Sequence, residues 1–587
     1  MEQREPRSPV LGRAVLLFLS ALTLFRLVYA ARLGLAEDEA YYWQWSRHPD
    51  LSYYDQGPVI AWVIRAGTLL LGHTPLGVRL FIVLLAGLTG WFIYLTARAW
   101  LDERAAVWAV GLTSSAPLFA VGGFLATYDT PQVFLWTVAL YAFTRTVQEN
   151  RTGGWYVVGL LVGLGTLAKL PMLGFAPGVL LFLLLSPAHR RWLGTPHPYL
   201  AFIVAVAVCV PPLVLWNARH DGLGFLHLFA VGNRTGTTGG AAITTATRLR
   251  WWGDFWGGQA LALSPLFFLA EVAALLRQLP LSPLPPPLRG KGEPPAKGSS
   301  PYERSTGKRE PPNSSGEADE QSATGSPFPR REGGKATLAW LRGERGTNDA
   351  HRFLVAFAVP LLAVCLVIAL RSRQEINWPV SAHVTGLMAA GALFARVWER
   401  GRTAARAGVA FSVLLALGMT TIAFFPQTLP ALGLRVTADA SQKLNQTYGW
   451  PEVAARVQAA RRALESEGRP VFVAGTTYRV NSVLAFYLPD QPPVRGLYPR
   501  TRRDQYFLWT DPKRLIGQNA VLCLEANDPA VAGVLAARVR PWFGSVEVAS
   551  PPIVVTRPGF SGPVRTWRLL ICRDFRGYDP NAAAEGY

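Results

Sequence analysis

The sequence predicts a mainly α, polytopic integral-membrane helical bundle with a small C-terminal α/β domain. Three observations predict it. Half of the 587 residues are hydrophobic and only 16% are charged, against about 25% in ordinary soluble proteins, and mean hydropathy is +0.20. There are about 11 mostly apolar stretches near the roughly 20 residues a helix needs to cross a bilayer. The pattern then stops, and the last 160 or so residues read as short strands and helices bounded by turn residues. Lys plus Arg exceeds Asp plus Glu by 58 to 38, a net charge of +20. Basic loops facing the cytoplasm explain this surplus. No compact basic region with interleaved aromatics points to a nucleic-acid partner. Four cysteines are too few for a disulfide scaffold or a zinc-cluster protein.

The apolar stretches run 11–33, 76–98, 105–124, 129–147, 155–169, 172–187, 198–216, 259–278, 351–370, 380–397 and 407–425. The first has signal-peptide features: Arg4, Arg7 and Arg13 precede it, and Ala30 and Ala31 close it. Arg26 interrupts its apolar core and many spans follow, so it reads as a retained first helix. With the N-terminus inside, the inner loops carry Arg98 and Arg104, Arg145 and Arg151, Arg190 and Arg191, then Arg396, Arg400, Arg402 and Arg406. The outer connections are 34–75, 125–128, 217–258 and 371–379, and an odd number of spans puts the C-terminal region outside. Residues 281–350 hold eleven Pro and ten Gly. Such a segment buries too little apolar surface to offset its ordering entropy and reads as a disordered cytoplasmic linker. The chain thus divides into an N-terminal transmembrane catalytic region (1–280, with outer loop 34–75), the linker (281–350), further transmembrane helices (351–425) and a soluble α/β domain (426–587).

In that last domain, 469–478 reads as a strand ending in a turn, 482–488 as a short helix, and 519–526 and 566–573 as buried strands. Cys523 and Cys572 lie in two of these strands, where a disulfide and two buried thiols both fit. Cys209 and Cys365 fall in spans and read as core residues.

The chemistry concentrates after the first span, in LAEDEAYYWQWSRHPDLSYYDQGPVIAWVIR (35–65). Its aromatics suit a membrane interface in any case. The run Glu37, Asp38, Glu39 does not, because crowded negative charge near lipid calls for a cation, a metal or a reacting hydroxyl. A carboxylate there suits a general base, and the three together are candidate oxygen ligands for a divalent cation. Asp129 precedes Pro131 in ATYDTPQVFLW (126–136), as a helix cap or a second acid. Lys169 sits at the break between two spans, where it either snorkels or binds phosphate. LWNARHDGLGF (215–225) supplies Asn217, Arg219, His220 and Asp221, and SRQEINWPVSAH (372–383) supplies Arg373, Glu375 and Asn377. The charge-derived topology puts all of these on one face. Carboxylates with cations there suit transfer from a lipid phosphate: the carboxylate activates a nucleophile and the cations stabilise the departing phosphate.

At these residues the sequence resembles the GT-C membrane glycosyltransferases. Within them it is most similar to bacterial enzymes grouped with the protein O-mannosyltransferases and the lipid A aminoarabinose transferase. The matching stretches are 38–58, 127–143, 164–193, 210–225, 257–269 and 375–383, with 480–494 and 502–509 in the tail. Their order and spacing carry the resemblance over most of the chain except 281–350. It implies a polyprenyl-phosphate-linked sugar donor and an inverting transfer on the outer face of a bacterial inner membrane. The acceptor would be a hydroxyl of a lipid, an envelope glycan or a protein. It also implies Asp38 as base with Glu39 beside it and Asp129 as second acid. Lys169, Arg219, His220 and Gln56 would face the donor phosphate, and Tyr41, Tyr42, Trp43, Tyr54, Asn217 and Glu375 would contact substrate. Relatives usually carry a basic residue before Pro-Pro where this chain has Gln56-Gly57-Pro58, and Gln56 hydrogen-bonds without charge. Some GT-C enzymes use a divalent metal and others do not. The competing reading is a transporter or flippase of a lipid-linked saccharide. That would place ionisable groups at the midplane of two repeated halves. Here most such groups stand at helix ends and no internal repeat is visible.

Overall fold

The computed structural model describes residues 9–232, 244–276, 347–434, 436, 445–497, 503–526, 528–558, 560 and 562–578. The linker expected at 281–350 lies outside them, except that 347–350 already belong to a helix.

Over the described residues, each of the eleven apolar stretches is largely helical. The helices are α1 (Pro9–Arg32), α4 (Pro75–Trp100), α5 (Glu103–Ser115) with α6 (Pro117–Gly122), α7 (Asp129–Glu149), α8 (Gly154–Ala168), α9 (Phe175–Leu185) and α10 (His197–Arg219). After these come α11 (Leu223–Gly232), which follows the seventh stretch, α12 (Thr245–Leu263) with α13 (Pro265–Leu276), α14 (Thr347–Ala369), α15 (Val380–Arg400) and α16 (Thr403–Phe424). By length and composition, fewer than eleven of these helices are long and apolar enough to cross a membrane in one piece. Among the described residues six helices are long and apolar enough to cross a membrane, or seven when the bent pair α12–α13 counts as one span. The other four stretches fall short for local reasons. Pro117 splits α5 from α6, and a short 3₁₀ turn (Leu170–Gly174) separates α8 from α9. α7 is 21 residues long but carries polar side chains that pair inward: Gln132 accepts from Ser381, and Thr137 and Thr144 donate to their own helix. Between α12 and α13 the chain bends by 105°. Ser264 sits there at φ 83 with Pro265 next, and a residue before proline disfavours the helical region.

α15 is the central helix, 83% buried over its apolar window. Its small residues permit that. A side chain at Gly391 would meet the Ala105 carbonyl at 2.9 Å, so the two backbones are nearly touching, as small residues allow in membrane bundles.

The connection 34–75, expected as a loop, holds two helices, α2 (Glu37–Arg47) and α3 (Val59–Leu71). α3 has only 13 residues, too few to register as a span. α2 begins with its three acids in the first turn, where the helix dipole favours negative charge. The Glu39 Oε2 accepts the Ala36 backbone N–H at 2.8 Å, the returning half of a capping box.

The tail is a six-stranded mixed sheet in the order β2-β1-β3-β6-β4, with β5 also on β6. The strands are β1 (Val471–Gly475), β2 (Arg495–Gly496), β3 (Asn519–Glu525), β4 (Phe543–Val548), β5 (Ile553–Thr556) and β6 (Pro563–Phe575). β1 runs parallel to β2 and β3, and β6 antiparallel to β3. The register pairs Cys523 with Leu569 and Ala520 with Cys572. Adjacent side chains alternate faces, so the two cysteines point to opposite sides of the sheet and join different hydrophobic clusters. All four cysteines are free and buried. One face of the sheet, through α17 (Trp450–Glu465) and α18 (Tyr478–Tyr487), shares a continuous core with α2 and α3. The tail is therefore packed onto the start of the bundle.

Candidate active site

Three consecutive acids on a helix point about 100° apart, and the structure gives each a different partner. Glu39 turns into the bundle. It is 1% exposed and pairs with the fully buried Arg79 through two contacts, Nε–Oε1 2.7 Å and Nη2–Oε2 2.5 Å. The Ala126 backbone N–H adds a fourth donor, 2.8 Å from Oε1. Such a carboxylate has little acceptor capacity left for a substrate, so Glu39 holds structure and does not face a reacting group. Glu37 turns the other way, onto the tail. It accepts from Arg565 of β6, which also binds Glu525 at 2.8 and 2.9 Å. Burial pushes the Glu37 carboxyl above the usual range, and the Arg565 guanidinium opposes that rise.

Asp38 lies between them and its side chain is about half exposed. It accepts from the Tyr478 hydroxyl at 3.1 Å, and the Arg479 Nε stands 3.9 Å away. Both come from the tail. Burial, and then the Asp38 charge, push the Tyr478 phenol above its ordinary range, so it stays a hydrogen-bond donor at neutral pH. The aromatic wall is Tyr41, 4.4 Å from the Tyr478 ring, and Tyr42, 5.4 Å from Tyr128.

A second group stands beside this one. Asp129 opens α7 and accepts from the Lys169 Nζ at 2.6 Å and the Asn377 Nδ2 at 2.7 Å. The ammonium also lies 4.9 Å over the Tyr128 ring. Tyr128 thus touches both groups. The loop carrying Gln56 reaches the same region, because Gly57 packs onto Leu167: a Cβ there would lie 1.9 Å from the Leu167 carbonyl. Gly57→Ala is expected to push this loop off α8. It should lower both thermal stability and transfer in membranes, whereas Gln56→Ala should leave stability unchanged.

Several expected contacts are elsewhere. Trp43 is fully buried, donating to His73 Nδ1 at 3.0 Å and packing on Phe486, so it is core. The Tyr41 hydroxyl is spent on Asp55 and on the Gln505 backbone N–H. Tyr54 is buried against His227. Asn217 closes its own helix end, accepting from Phe225 N–H at 3.0 Å and donating to the Leu213 carbonyl at 2.9 Å. His220 stacks on Trp216 with centroids 4.2 Å apart, and Arg219 is exposed. Glu375 is exposed, and its neighbour Asn377 makes the contact to Asp129. Glu37, Asp38 and Glu39 diverge, and among the described residues no cluster of three or more His, Cys, Asp or Glu could hold a metal. The residues do not fit the cation site considered for them. Arg79, Tyr128, Tyr478, Arg479 and Arg565 were not singled out as site residues from sequence, and Asn377 was named only beside Arg373 and Glu375. Arg79 left one signal, a charge inside an apolar run.

The comparisons agree with this architecture. Residues 55–216 match the family described as dolichyl-phosphate-mannose-protein mannosyltransferase. The structure superposes on ArnT from Cupriavidus metallidurans bound to undecaprenyl phosphate with a TM-score of 0.54. That match has 14% identity and covers 94% of this chain and 97% of that one. The chain has the GT-C fold. Curated relatives match the GT-C chain over part of its length. A lipid A galacturonosyltransferase, RgtD, of Rhizobium johnstonii is 30% identical over 270 residues, 46% of this chain and 55% of the relative. An undecaprenyl phosphate-alpha-4-amino-4-deoxy-L-arabinose arabinosyl transferase of Pseudomonas paraeruginosa is 32% identical over 229 residues, 35% of this chain and 40% of that one. The chain therefore spans about half, or less, of the curated relatives it matches. With its six or seven apolar spans, the GT-C bundle here is a multi-pass membrane protein.

Proposed function

We propose that the chain is a membrane glycosyltransferase. It moves a sugar from a polyprenyl-phosphate-linked donor to a hydroxyl acceptor on the outer face of a bacterial inner membrane, with its N-terminus cytoplasmic and its tail outside. The observation that carries this reading is the isolation of Asp38. Its two neighbours are consumed by Arg79 and Arg565, while Asp38 keeps acceptor capacity at a half-exposed surface walled by tyrosines. In the proposed step the acceptor oxygen attacks the anomeric carbon opposite the phosphate, and its proton passes to Asp38. The bond from that carbon to the phosphate oxygen breaks, and the lipid phosphate leaves with the electron pair, giving inversion. Lys169 has three N–H donors and spends one on Asp129, which leaves donors to stabilise the departing phosphate. The domains read from sequence take these roles: bundle 1–280 and 351–425 for the lipid donor, linker 281–350 inside, and tail 426–587 as a wall of the site through Tyr478 and Arg479.

The test gives purified wild type a panel of radiolabelled polyprenyl-phosphate sugars with envelope lipid and protein fractions as acceptors. Label appearing in an acceptor fraction supports the reading, and consumption of no donor by any fraction opposes it. Lys169→Ala should raise the donor KM by about tenfold, the loss expected of one charge-assisted contact of about 1.5 kcal/mol. An unchanged KM in that variant would remove Lys169 from the donor site.

A further inference from the structure

His383 lies in the first turn of α15 and takes no part in the chemistry proposed above. It is buried, and so are Glu271 and Gln259, its two partners. The His383 Nδ1 stands 3.0 Å from both carboxyl oxygens of Glu271, and its Nε2 stands 3.0 Å from the Gln259 Oε1. Among the described residues no other cation pairs with Glu271. The polarity of these contacts is fixed from one end. A carbonyl only accepts, so the Gln259 amide nitrogen, 3.2 Å from the Ile376 carbonyl, donates there. The Gln259 oxygen therefore faces Nε2, which carries a hydrogen. On the opposite side a second hydrogen is shared between Nδ1 and the Glu271 carboxyl. Without it, lone pairs would oppose each other and a buried carboxylate would stand unpaired, which is strongly unfavourable.

Gln259 belongs to α12 and Glu271 to α13, the two arms of the 105° bend. One imidazole thus ties both arms to α15. The surrounding glycines make room for this. A Cβ added at Gly386 would overlap the Glu271 carboxyl, and one added at Gly258 would come 3.1 Å from the Ile376 Cγ1. The bridge ends on Ile376, and the next residue, Asn377, donates to Asp129 at 2.7 Å. Hydrogen bonds and one peptide unit therefore connect Glu271, through His383, Gln259 and Asn377, to the Asp129–Lys169 pair.

We infer that His383 is a positioning residue for this site: its bridge holds the α12–α13 bend against α15 and, through the Ile376 carbonyl, sets the turn from which Asn377 holds Asp129. The inference rests on the reading of Asp129 and Lys169 as the donor-phosphate contact, so one arm of its test needs no transfer. That arm is hydrogen exchange of the full chain in lipid discs. Gln259→Met keeps the side-chain length but cannot donate to the Ile376 carbonyl. Exchange should quicken about fivefold over 371–380 while α4 and α14 exchange as in wild type, a local opening and not a global one. The second arm measures transfer from the polyprenyl-phosphate sugar that wild type consumes. Gln259→Met should raise the donor KM about fivefold, the loss of one neutral hydrogen bond, with kcat nearly unchanged. Asn377→Ala should raise it comparably, and the double variant should be no worse than either single one, because both break one path. Where Gln259→Met fails to fold, His383→Phe with Glu271→Met takes its place with the same expectations, since it removes the ring donors and leaves no buried carboxyl unpartnered. Three outcomes overturn the inference: unchanged exchange over 371–380 in a folded variant; quickening throughout the bundle, which marks a merely structural part; or full additivity with Asn377→Ala. If wild type transfers no sugar, the donor reading falls and the exchange arm alone decides the bridge.

Discussion

Asp38→Asn should lower sugar transfer by about 10²- to 10⁴-fold, the range contributed by a positioned general base, while the protein folds and inserts as wild type does. The substitution is nearly isosteric, and an Asn oxygen still accepts from the Tyr478 hydroxyl, now 3.1 Å from the carboxylate. What Asn cannot do is take up a proton. Stability should change little, because Asp38 is half exposed and the cation near it, Arg479, is itself about half exposed. Exposed pairs of this kind contribute about 0–1 kcal/mol. The measurement is initial transfer rate in membranes at matched protein level, with a thermal melt of the purified variant beside it. Wild-type turnover in Asp38→Asn would remove this residue from the chemistry. A collapse of the melt would assign it a structural part.

The bundle was legible because hydropathy reports burial in lipid directly, and over the described residues every apolar stretch is largely helical. The number of complete spans was not. A window of apolar residues does not distinguish α4, 26 residues in one piece, from α8 and α9, which are short and broken at Lys169 to Gly174. In the tail, β1, β3, β6 and α18 followed from short apolar runs bounded by turn residues, but where the tail docks did not. Nothing in Arg565 or Tyr478 as residues announces contact with α2 across more than 400 positions of sequence.

The site was legible as a list of polar residues near helix ends, and less so as roles. Glu39 and Asp38 are indistinguishable in sequence, because what separates them is rotation about the α2 axis and a partner, Arg79, 40 residues away. Trp43 and Tyr41 belong to one aromatic run, yet one is core and the other joins α2 to the tail. Asn377 acts where the charged Glu375 was expected, since the turn before α15 aims position 377 at Asp129.

Arg79→Gln should destabilise the folded protein by about 3–5 kcal/mol, the cost of removing one partner from a buried ion pair. The size follows from how much Arg79 does. A guanidinium has five N–H donors, and here all five are spent. Two go to Glu39, two to the carbonyls of Ala30 and Leu33 at 2.9 and 2.6 Å, and one to Gly34 at 2.7 Å. The accepting carbonyls close the end of α1, and Glu39 in turn holds the start of α2 through Ala36 and the connection before α7 through Ala126. One cation therefore fixes the angle at which α2 leaves the bundle, while Arg565 fixes its other side from the tail. Asp38 is presented between these two clamps. Arg79→Gln should accordingly lower both the melting temperature and transfer, and so should Glu39→Gln, which leaves the buried Arg79 cation without its carboxylate and sets an amide NH2 against N–H donors. The paired variant Arg79→Met with Glu39→Gln, which leaves no buried charge unpartnered, should recover part of the stability but not the transfer rate. Full recovery of transfer in that pair would show that α2 needs no such clamp to aim Asp38, and an unchanged melt in Arg79→Gln would show that the ion pair contributes nothing to the fold.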